Sequence, residues 1–261
     1  MKTRIISALV MLPLLFIVYF GGKVLMLGCF AIGLLGVREM YRGFEALGYR
    51  PCYGIAYGAL LALYAIALFA PNSSALMMLW LAAIVIASML YLFKINERNL
   101  EDALSTAFGI FYVVFLSYHV YLVDTCGEYS PMIWLIFLSA YGCDIMAYFS
   151  GSALGKHKLC PEISPKKSVE GAVGGFLGSI IFCAVFAHFV MPENMIHCII
   201  IAAIGGIIAQ FGDLSASVFK RKMGIKDYGN LIPGHGGVMD RVDSILFTAP
   251  LVYYYINIVL I

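Results

Sequence analysis

The amino-acid sequence predicts an all-α protein, a polytopic bundle of about nine helices that cross a membrane. Of its 261 residues, 62% are hydrophobic and only 12% are charged, and the mean hydropathy is +0.92. These values lie far outside the range of soluble globular domains. Apolar runs of about 18 or more residues recur from end to end, which is the length that a helix needs to cross the hydrocarbon core. Because the runs are continuously apolar rather than alternating, they indicate helices and not the strands of a barrel.

Nine apolar segments are predicted as spans. The first follows basic residues, as a signal peptide would, but no A-x-A cleavage site follows it, so we interpret it as a retained span. We expect one membrane domain over 1–261, with spans one to five in residues 1–130 and spans six to nine in residues 131–261. The nine predicted spans are 5–21, 23–37, 53–70, 75–93, 103–123, 131–150, 171–190, 195–219 and 242–261.

The basic residues predict the orientation of this bundle, since Lys and Arg accumulate in cytoplasmic loops. With the N-terminus inside, sixteen of the seventeen Lys and Arg residues fall in inside loops, and only Lys23 falls outside. We therefore expect the N-terminus in the cytoplasm, the C-terminus outside, and the protein in the inner (cytoplasmic) membrane.

Two of the inside loops are longer than connectors and rich in Lys, Gly and Pro. They cover residues 151–170 and 220–241. Because both lie on the same predicted face of the membrane, we expect them to contribute to one site that faces the cytoplasm.

Acidic residues inside apolar spans are the first candidates for that site. Asp213 lies in the eighth span, where a carboxylate costs at least ~2.5 kcal/mol on insertion scales and marks a functional site by default. Gln210 and Ser217 lie on its side of the helix. The alternative is a buried Asp that pairs with a Lys or Arg and holds helices together. Asp144, in the sixth span, is either a third metal ligand or a residue that hydrogen-bonds between helices.

Two further carboxylates are predicted at the start of the ninth span. Asp240 and Asp243 are three residues apart, so we expect both to project from one side of the first helical turn. One acid there would serve as a helix cap. A second acid on the same face, with Asp213 on the preceding span, indicates carboxylates that converge on a divalent cation. Mg²⁺ prefers such hard oxygen ligands together with substrate phosphates.

Glycines and basic residues surround these acids. The segment P-G-H-G-G at 233–237 has the glycines that let backbone N–H groups approach an anion, although the same residues would also suit an ordinary loop. Basic residues in the loops follow from topology alone. Together with carboxylates and glycines, however, they indicate a site for a polyphosphate and a metal ion. The basic residues are Lys166, Lys167, Lys220, Arg221, Lys226 and Arg241.

The residues from Ser217 to Asp243 match the pattern S-x-x-K-R-x4-K-D-x-G-x2-I-P-x-H-G-G-x2-D-R-x-D at every fixed position. This pattern resembles the defining motif of the phosphatidate cytidylyltransferases, or CDP-diacylglycerol synthases. Shorter matches add to the resemblance, which covers about the C-terminal half at motif level. They are G-D-L at 212–214, I-S-P-K-K-S at 163–168, D-x-x-A-Y-F-x-G at 144–151 and G-K-H-K at 155–158.

The resemblance implies an integral membrane enzyme that uses Mg²⁺ to join CTP and phosphatidic acid, giving CDP-diacylglycerol and pyrophosphate. Asp213 and Asp240 match family positions associated with metal binding, Asp144 is the third metal candidate, and Asp243 joins the catalytic acids. A second cation can lie between the acids, and the family implies a homodimer. The expected substrate-binding residues are Lys166, Lys167, Ser217, Lys220, Arg221, Lys226, His235, Gly236, Gly237 and Arg241.

Two other functions fit parts of the pattern. A CTP-dependent isoprenoid-lipid kinase of the dolichol kinase type looks similar in its C-terminal motifs. A transporter would also carry acids within spans. The partners expected from the sequence are the lipid bilayer, CTP and phosphatidic acid, with no nucleic acid.

Overall fold

A computed structural model describes residues 15–71, 73–231 and 236–261, and it confirms the all-α membrane class. Six helices are long and apolar enough to cross a membrane, and two shorter apolar helices accompany them. The six are Gly22–Ala46, Ser74–Tyr91, Leu100–Asp124, Gly127–Leu154, Val169–Val190 and Pro192–Lys222, and the two shorter ones are Tyr53–Phe69 and Ile245–Leu260. Each matches one predicted span. Of the first predicted span, residues 5–14 lie outside the described residues, whereas residues 15–20 are helical.

Several of these spans contain local changes of helix type. A π-helical turn at Ile110–Phe115 divides the span at Leu100–Asp124, and the last span ends in π-helix at Ile256–Leu260. Short 3₁₀ segments precede two other spans. We label the helices α1 (Gly22–Ala46), α2 (Tyr53–Phe69), α3 (Ser74–Tyr91), α4 (Leu100–Gly109), α5 (Leu116–Asp124), α6 (Ile133–Leu154), α7 (Val169–Val190), α8 (Met195–Lys222), α9 (Met239–Val242) and α10 (Ile245–Tyr255).

Helix α1 is longer than predicted, since the sequence placed the end of this span at residue 37 and the helix continues to Ala46. The extra turns are amphipathic. Val37, Met40, Tyr41 and Phe44 recur at helical spacing and are all buried. Residues that the sequence assigned to a cytoplasmic loop are therefore part of a packed helix.

The loop predicted at 151–170 contains regular structure. Helix α6 continues to Leu154, and an antiparallel hairpin follows, made of β1 (Lys158–Cys160) and β2 (Ser164–Ser168). The Ser168 hydroxyl accepts a hydrogen bond from the backbone N–H of Gly171 at 3.1 Å and so caps α7. The hairpin is too small to change the fold class, but it gives the lysines of this segment fixed positions.

Helices α6 and α7 pack with their backbones close together because small residues face one another. A Cβ atom built on Gly175 would lie 2.8 Å from the carbonyl oxygen of Cys143 and 3.0 Å from the Cβ of Ala147. One on Gly171 would lie 2.9 Å from the carbonyl oxygen of Ala147. Lipid tails are as apolar as the helix surfaces, so the hydrophobic effect does not drive these helices together. Close van der Waals contact between α6 and α7 stabilises the pair instead.

Cα packing divides the chain into two compact units. The first contains Met1–Tyr118 and Lys222–Arg241, and the second contains His119–Arg221 and Val242–Ile261. These boundaries differ from the predicted halves 1–130 and 131–261, since residues 222–241 pack with the N-terminal spans.

The packing of α6 on α7 generates a stability prediction. We expect Gly175→Ala to lower the free energy of unfolding in detergent by about 1–3 kcal/mol, because the added methyl group meets backbone that cannot move aside cheaply. The matched control is Gly58→Ala on α2, where a Cβ has nothing within 4 Å. This control should be neutral or more stable by up to about 1 kcal/mol from helix propensity. Equal effects of the two variants would contradict the close-packing interpretation.

Candidate functional site

A cavity of about 390 Å³ lies in the second unit, between α6, the start of α7, α8 and the hairpin. Its polar lining includes residues from both predicted groups, the intramembrane acids and the loop lysines. Volumes of this size are typical of sites for small molecules. The polar side chains around the cavity are Asp144, Tyr148, Ser152, Lys166, Lys167, Ser168, Gln210 and Asp213.

The central contact of this cavity is an ion pair. The Lys167 Nζ, on β2, donates to Asp213 Oδ2, on α8. Both side chains are only about a quarter exposed, at 28% and 24%. Asp213 therefore has a basic partner, as the alternative interpretation of this residue predicted. Its partner, however, belongs to the β1–β2 hairpin and not to a neighbouring span, so the pair lies at a cavity wall.

Two more sequence candidates line the same cavity. Asp144 on α6 lies there with Tyr148 and Gly151, one and two turns further along the helix. The Gln210 Nε2, one turn before Asp213, donates to the carbonyl oxygen of Ala172 at 3.0 Å. The predicted polar faces of the sixth and eighth spans thus meet at one place.

The hairpin is held to its neighbours at both ends. At its base, the Glu170 carboxylate accepts hydrogen bonds from the backbone N–H groups of Lys156 at 3.1 Å and His157 at 3.3 Å. At its turn, the Arg221 Nε donates to the carbonyl oxygen of Ile163 at 3.2 Å. Arg221 was predicted as a phosphate ligand, and in the structure it lies on α8 and also fixes the segment that carries Lys166 and Lys167.

Asp243 is buried, with 8% of its surface exposed, and its Oδ1 accepts from the backbone N–H of Ser244 at 2.8 Å. The charged side chains of Asp213, Lys220 and Asp144 lie close enough to interact electrostatically with the Asp243 carboxyl group. Asp243 lies in the turn between α9 and α10, whereas Asp240 lies on α9. The helix of the ninth span begins at Ile245, later than the predicted start at 242, and the expectation that both acids project from one side of a helical turn stays a prediction.

In the first unit, the carboxylate of Asp240 binds backbone N–H groups of its own motif segment, residues 222–241. Asp240 Oδ2 accepts hydrogen bonds from the backbone N–H groups of Tyr228 at 2.8 Å and Gly237 at 2.9 Å. Gly236 has a φ of +83°, a conformation that favours glycine. The N–H of Gly237 is thus used by Asp240, so the predicted role of this glycine in binding phosphate stays a prediction.

The sequence analysis missed one residue of this segment's environment, Glu39 on α1. Its Oε1 accepts from the backbone N–H of Val238 at 3.0 Å, and its Oε2 accepts from that of Met239 at 2.8 Å. The sequence around Glu39 gave little indication of this role, because the predicted span ended at residue 37 and an acid just beyond a span is expected in a loop. Gly36 and Gly43 on the same helix face are buried too, and they indicate that backbone or bulky side chains approach there.

The remaining candidates have less specific surroundings. Ser217 and Lys220 lie on α8 and are half-buried, and Lys226 is exposed in the motif segment. Arg241 is half-buried on α9. His235 lies outside the described residues.

The carboxylates of the described residues suit Mg²⁺ by their ligand chemistry. Among the described residues, no group of three or more His, Cys, Asp or Glu side chains is placed to hold a metal ion. Mg²⁺ is usually held by one or two carboxylates, with waters and substrate phosphates completing its shell. Asp213 already binds a positive charge, that of Lys167, and it lines an open cavity. The ligand chemistry therefore fits the ion.

The apolar spans define the class as a polytopic α-helical membrane protein, in which acids and lysines line a polar cavity. The model of the cytidylyltransferase family matches residues 2–259, and the chain belongs to this family of nucleotidyltransferases. The resemblance stated from the motif is thereby confirmed.

Relatives named phosphatidate cytidylyltransferase match almost the full length. The one from Staphylococcus epidermidis is 33% identical over 262 residues, which cover 99% of this chain and 97% of the relative. The one from Synechocystis sp. is 32% identical over 286 residues, covering 98% and 97%. The one from Thermotoga maritima is 30% identical over 273 residues, covering 99% and 97%.

The Lys167–Asp213 contact generates a prediction for a double-mutant cycle. Lys167→Met and Asp213→Asn should each destabilise the protein, and the double variant should lose less than the sum, with a coupling energy of about 1 kcal/mol. The reason is that each single variant leaves a partly buried partner unpaired. The measurement is the free energy of unfolding in detergent for all four proteins.

The control for this cycle replaces Lys167→Met with Lys158→Met, since Lys158 is an exposed lysine of the same hairpin. Lys158→Met and Asp213→Asn should be additive. Additivity of the Lys167→Met pair as well would show that the contact contributes nothing to stability.

Proposed function

We propose that this protein is a phosphatidate cytidylyltransferase, which transfers the cytidylyl group of CTP to phosphatidic acid and releases pyrophosphate. The observation that carries the proposal is the cavity where lysines of a hairpin meet a carboxylate of a membrane span. Such a site can bind a phosphorylated nucleotide from water while the acyl chains of a lipid stay in the bilayer. The product, CDP-diacylglycerol, would serve phospholipid synthesis.

In the proposed reaction, a phosphate oxygen of phosphatidic acid attacks the α-phosphorus of CTP. A new P–O bond forms as the bond between the α-phosphorus and the bridging oxygen breaks, and pyrophosphate leaves with that electron pair. Two anions must approach each other, so the protein's work is to position them and neutralise their charge. The proposed residues are therefore basic side chains and ligands for a cation.

Lys167 and Lys166 would hold phosphates at the cavity, and Lys220, Arg221, Lys226 and Arg241 would do so around the motif segment. Ser217, His235, Gly236 and Gly237 are proposed to contribute further hydrogen bonds to substrate. Asp213, in the second unit, is a proposed Mg²⁺ ligand, with Asp144 as the third metal candidate and Asp243 as a further catalytic acid. Asp240, in the first unit, is the other proposed Mg²⁺ ligand, and a second cation is also part of the proposal. When bound, Mg²⁺ supplies positive charge for the phosphates and for the leaving pyrophosphate.

The label of CTP decides between this transfer and a lipid kinase. With purified protein, Mg²⁺ and phosphatidic acid, ³²P at the α-position of CTP should enter the lipid phase, and ³²P at the γ-position should leave as pyrophosphate. EDTA should stop the transfer, and added Mg²⁺ should restore it. Label from the γ-position in an isoprenoid lipid would indicate the kinase instead, and vesicle uptake without CTP turnover would indicate a transporter.

Matched acid variants control this assay. Asp213→Asn and Asp240→Asn should each lower the rate by more than about 100-fold, since even the outer-shell partners of metal ligands typically contribute 10–100-fold. Glu193→Gln should keep the wild-type rate, because Glu193 is exposed in a 3₁₀ segment on the other predicted face. Near-normal turnover of either Asp variant at low Mg²⁺ would remove that residue from the metal site.

We propose that the site faces the cytoplasm and that the protein resides in the inner membrane, as the distribution of basic residues supports. The resemblance also implies a homodimer. Sidedness can be tested with an impermeant thiol reagent on cells carrying Asn230→Cys or Glu193→Cys, both at exposed positions. The residue at 193 should react in intact cells, whereas the residue at 230 should react only after the inner face is opened.

The background for this experiment is first cleared of the partly exposed native thiols by replacing Cys52, Cys126 and Cys160 with Ser. Burial raises the pKa of the Cys126 thiol, which slows its reaction without abolishing it. CTP with Mg²⁺ should slow labelling at 230 and leave 193 unchanged. Labelling at 230 from outside intact cells would invert the proposed topology.

A further inference from the structure

Glu39 is a buried carboxylate in a membrane helix, and such groups are costly unless they are well paired. It lies on α1 and is 7% exposed. Its two oxygens accept the backbone N–H groups of Val238 and Met239, at 3.0 and 2.8 Å. One side chain thereby fixes two consecutive peptide groups from a segment 200 residues further along the chain.

The segment that Glu39 binds is the one that carries Asp240. The N–H of Gly237 donates to Asp240 Oδ2, and the next two N–H groups donate to Glu39. Three successive donors are thus divided between two carboxylates, and the backbone conformation that satisfies one also sets the other. Helix α9 begins at Met239, so the orientation of Asp240 on it depends on where this backbone is held.

Two glycines of the motif are explained by the same contact. A Cβ atom on Gly229 would lie 2.5 Å from Glu39 Oε1, and one on Gly237 would clash with both carboxylate oxygens. At both positions a Cβ would displace the Glu39 carboxylate, so glycine suits them because Glu39 approaches their backbone closely. This is a packing requirement of the protein itself, separate from any role of the glycines in binding phosphate.

We propose that Glu39 is a positioning residue: its carboxylate holds the backbone of Val238 and Met239 so that Asp240 is aligned to bind the divalent cation. The proposal rests on the proposed function, since that function assigns the cation to Asp240. Glu39 would contact neither substrate nor metal and would act through the backbone alone.

The first unit provides a matched control in Asp102. This carboxylate is 2% exposed, and it too binds two backbone N–H groups, those of Arg50 at 2.6 Å and Asn99 at 3.0 Å. It lies at the start of α4 and touches no residue of the motif segment in these hydrogen bonds. Asp102→Asn and Glu39→Gln remove the same kind of interaction, so loss of stability alone should affect both alike.

The test compares these two variants by two measurements on the full-length protein in detergent. Hydrogen exchange of a peptide covering 229–244, without metal, should become faster in Glu39→Gln and stay unchanged in Asp102→Asn. The Mg²⁺ concentration for half-maximal CTP turnover should rise roughly 10-fold in Glu39→Gln, the size typical of residues that orient metal ligands. It should not change in Asp102→Asn, even if both variants unfold at a lower temperature.

A second variant keeps the test decisive if Glu39→Gln does not fold. Gly229→Ala keeps the Glu39 side chain but displaces its carboxylate, so it should shift the exchange rate and the Mg²⁺ requirement in the same direction by a smaller factor. Gly58→Ala is its control. An unchanged Mg²⁺ requirement in the Glu39→Gln and Gly229→Ala variants that fold, beside an active wild type, would overturn the Glu39 proposal alone. A wild type without CTP turnover would overturn the proposed function and this proposal with it.

Discussion

The cost of keeping a carboxylate inside a bundle of membrane helices governs the arrangement of this protein. Such a group must find positive charge or hydrogen-bond donors in the folded chain. Asp213 pairs with the ammonium group of Lys167, and Glu39 accepts hydrogen bonds from two backbone N–H groups. Each pairing attaches a polar segment to an apolar helix at a defined point. The acids therefore help to determine where these polar segments lie, in addition to any chemistry that they perform.

Close backbone approach is the second constraint, and glycine provides it in both units. In the second unit, Gly171 and Gly175 let α7 lie against α6, which brings the first turns of α7 and its hairpin beside Asp144. In the first unit, Gly229 and Gly237 let a loop backbone reach Glu39. The same residue type thus serves helix packing in lipid and hydrogen bonding of an irregular segment, because both need the space that a Cβ would occupy.

The hairpin illustrates how a segment that looks like a flexible loop becomes part of a site. Its composition of Lys, Gly and Pro gave no sign of strand structure, and its strands are only three and five residues long. Its position depends on Glu170 at the base and on Arg221 at the turn. With the hairpin held in this way, Lys166 and Lys167 line the cavity as part of a fixed wall. A preorganised set of cations is what neutralisation of phosphates requires.

The sequence by itself determined the spans, the family and most of the candidate residues. Hydropathy is a local property and crossing a bilayer has a fixed length, so all eight predicted spans that lie within the described residues were found, with boundary errors such as the end of α1. An acid in a span is visible in the same way, and Asp144 and Asp213 do line one cavity. Only the tertiary structure decided which partner each carboxylate has. Glu39 binds the backbone of Met239, which lies 200 residues further along the chain. Lys167 contacts Asp213 from a hairpin that the pattern of apolar and polar residues did not predict. Those pairings depend on how distant segments pack, which no local pattern of residues encodes.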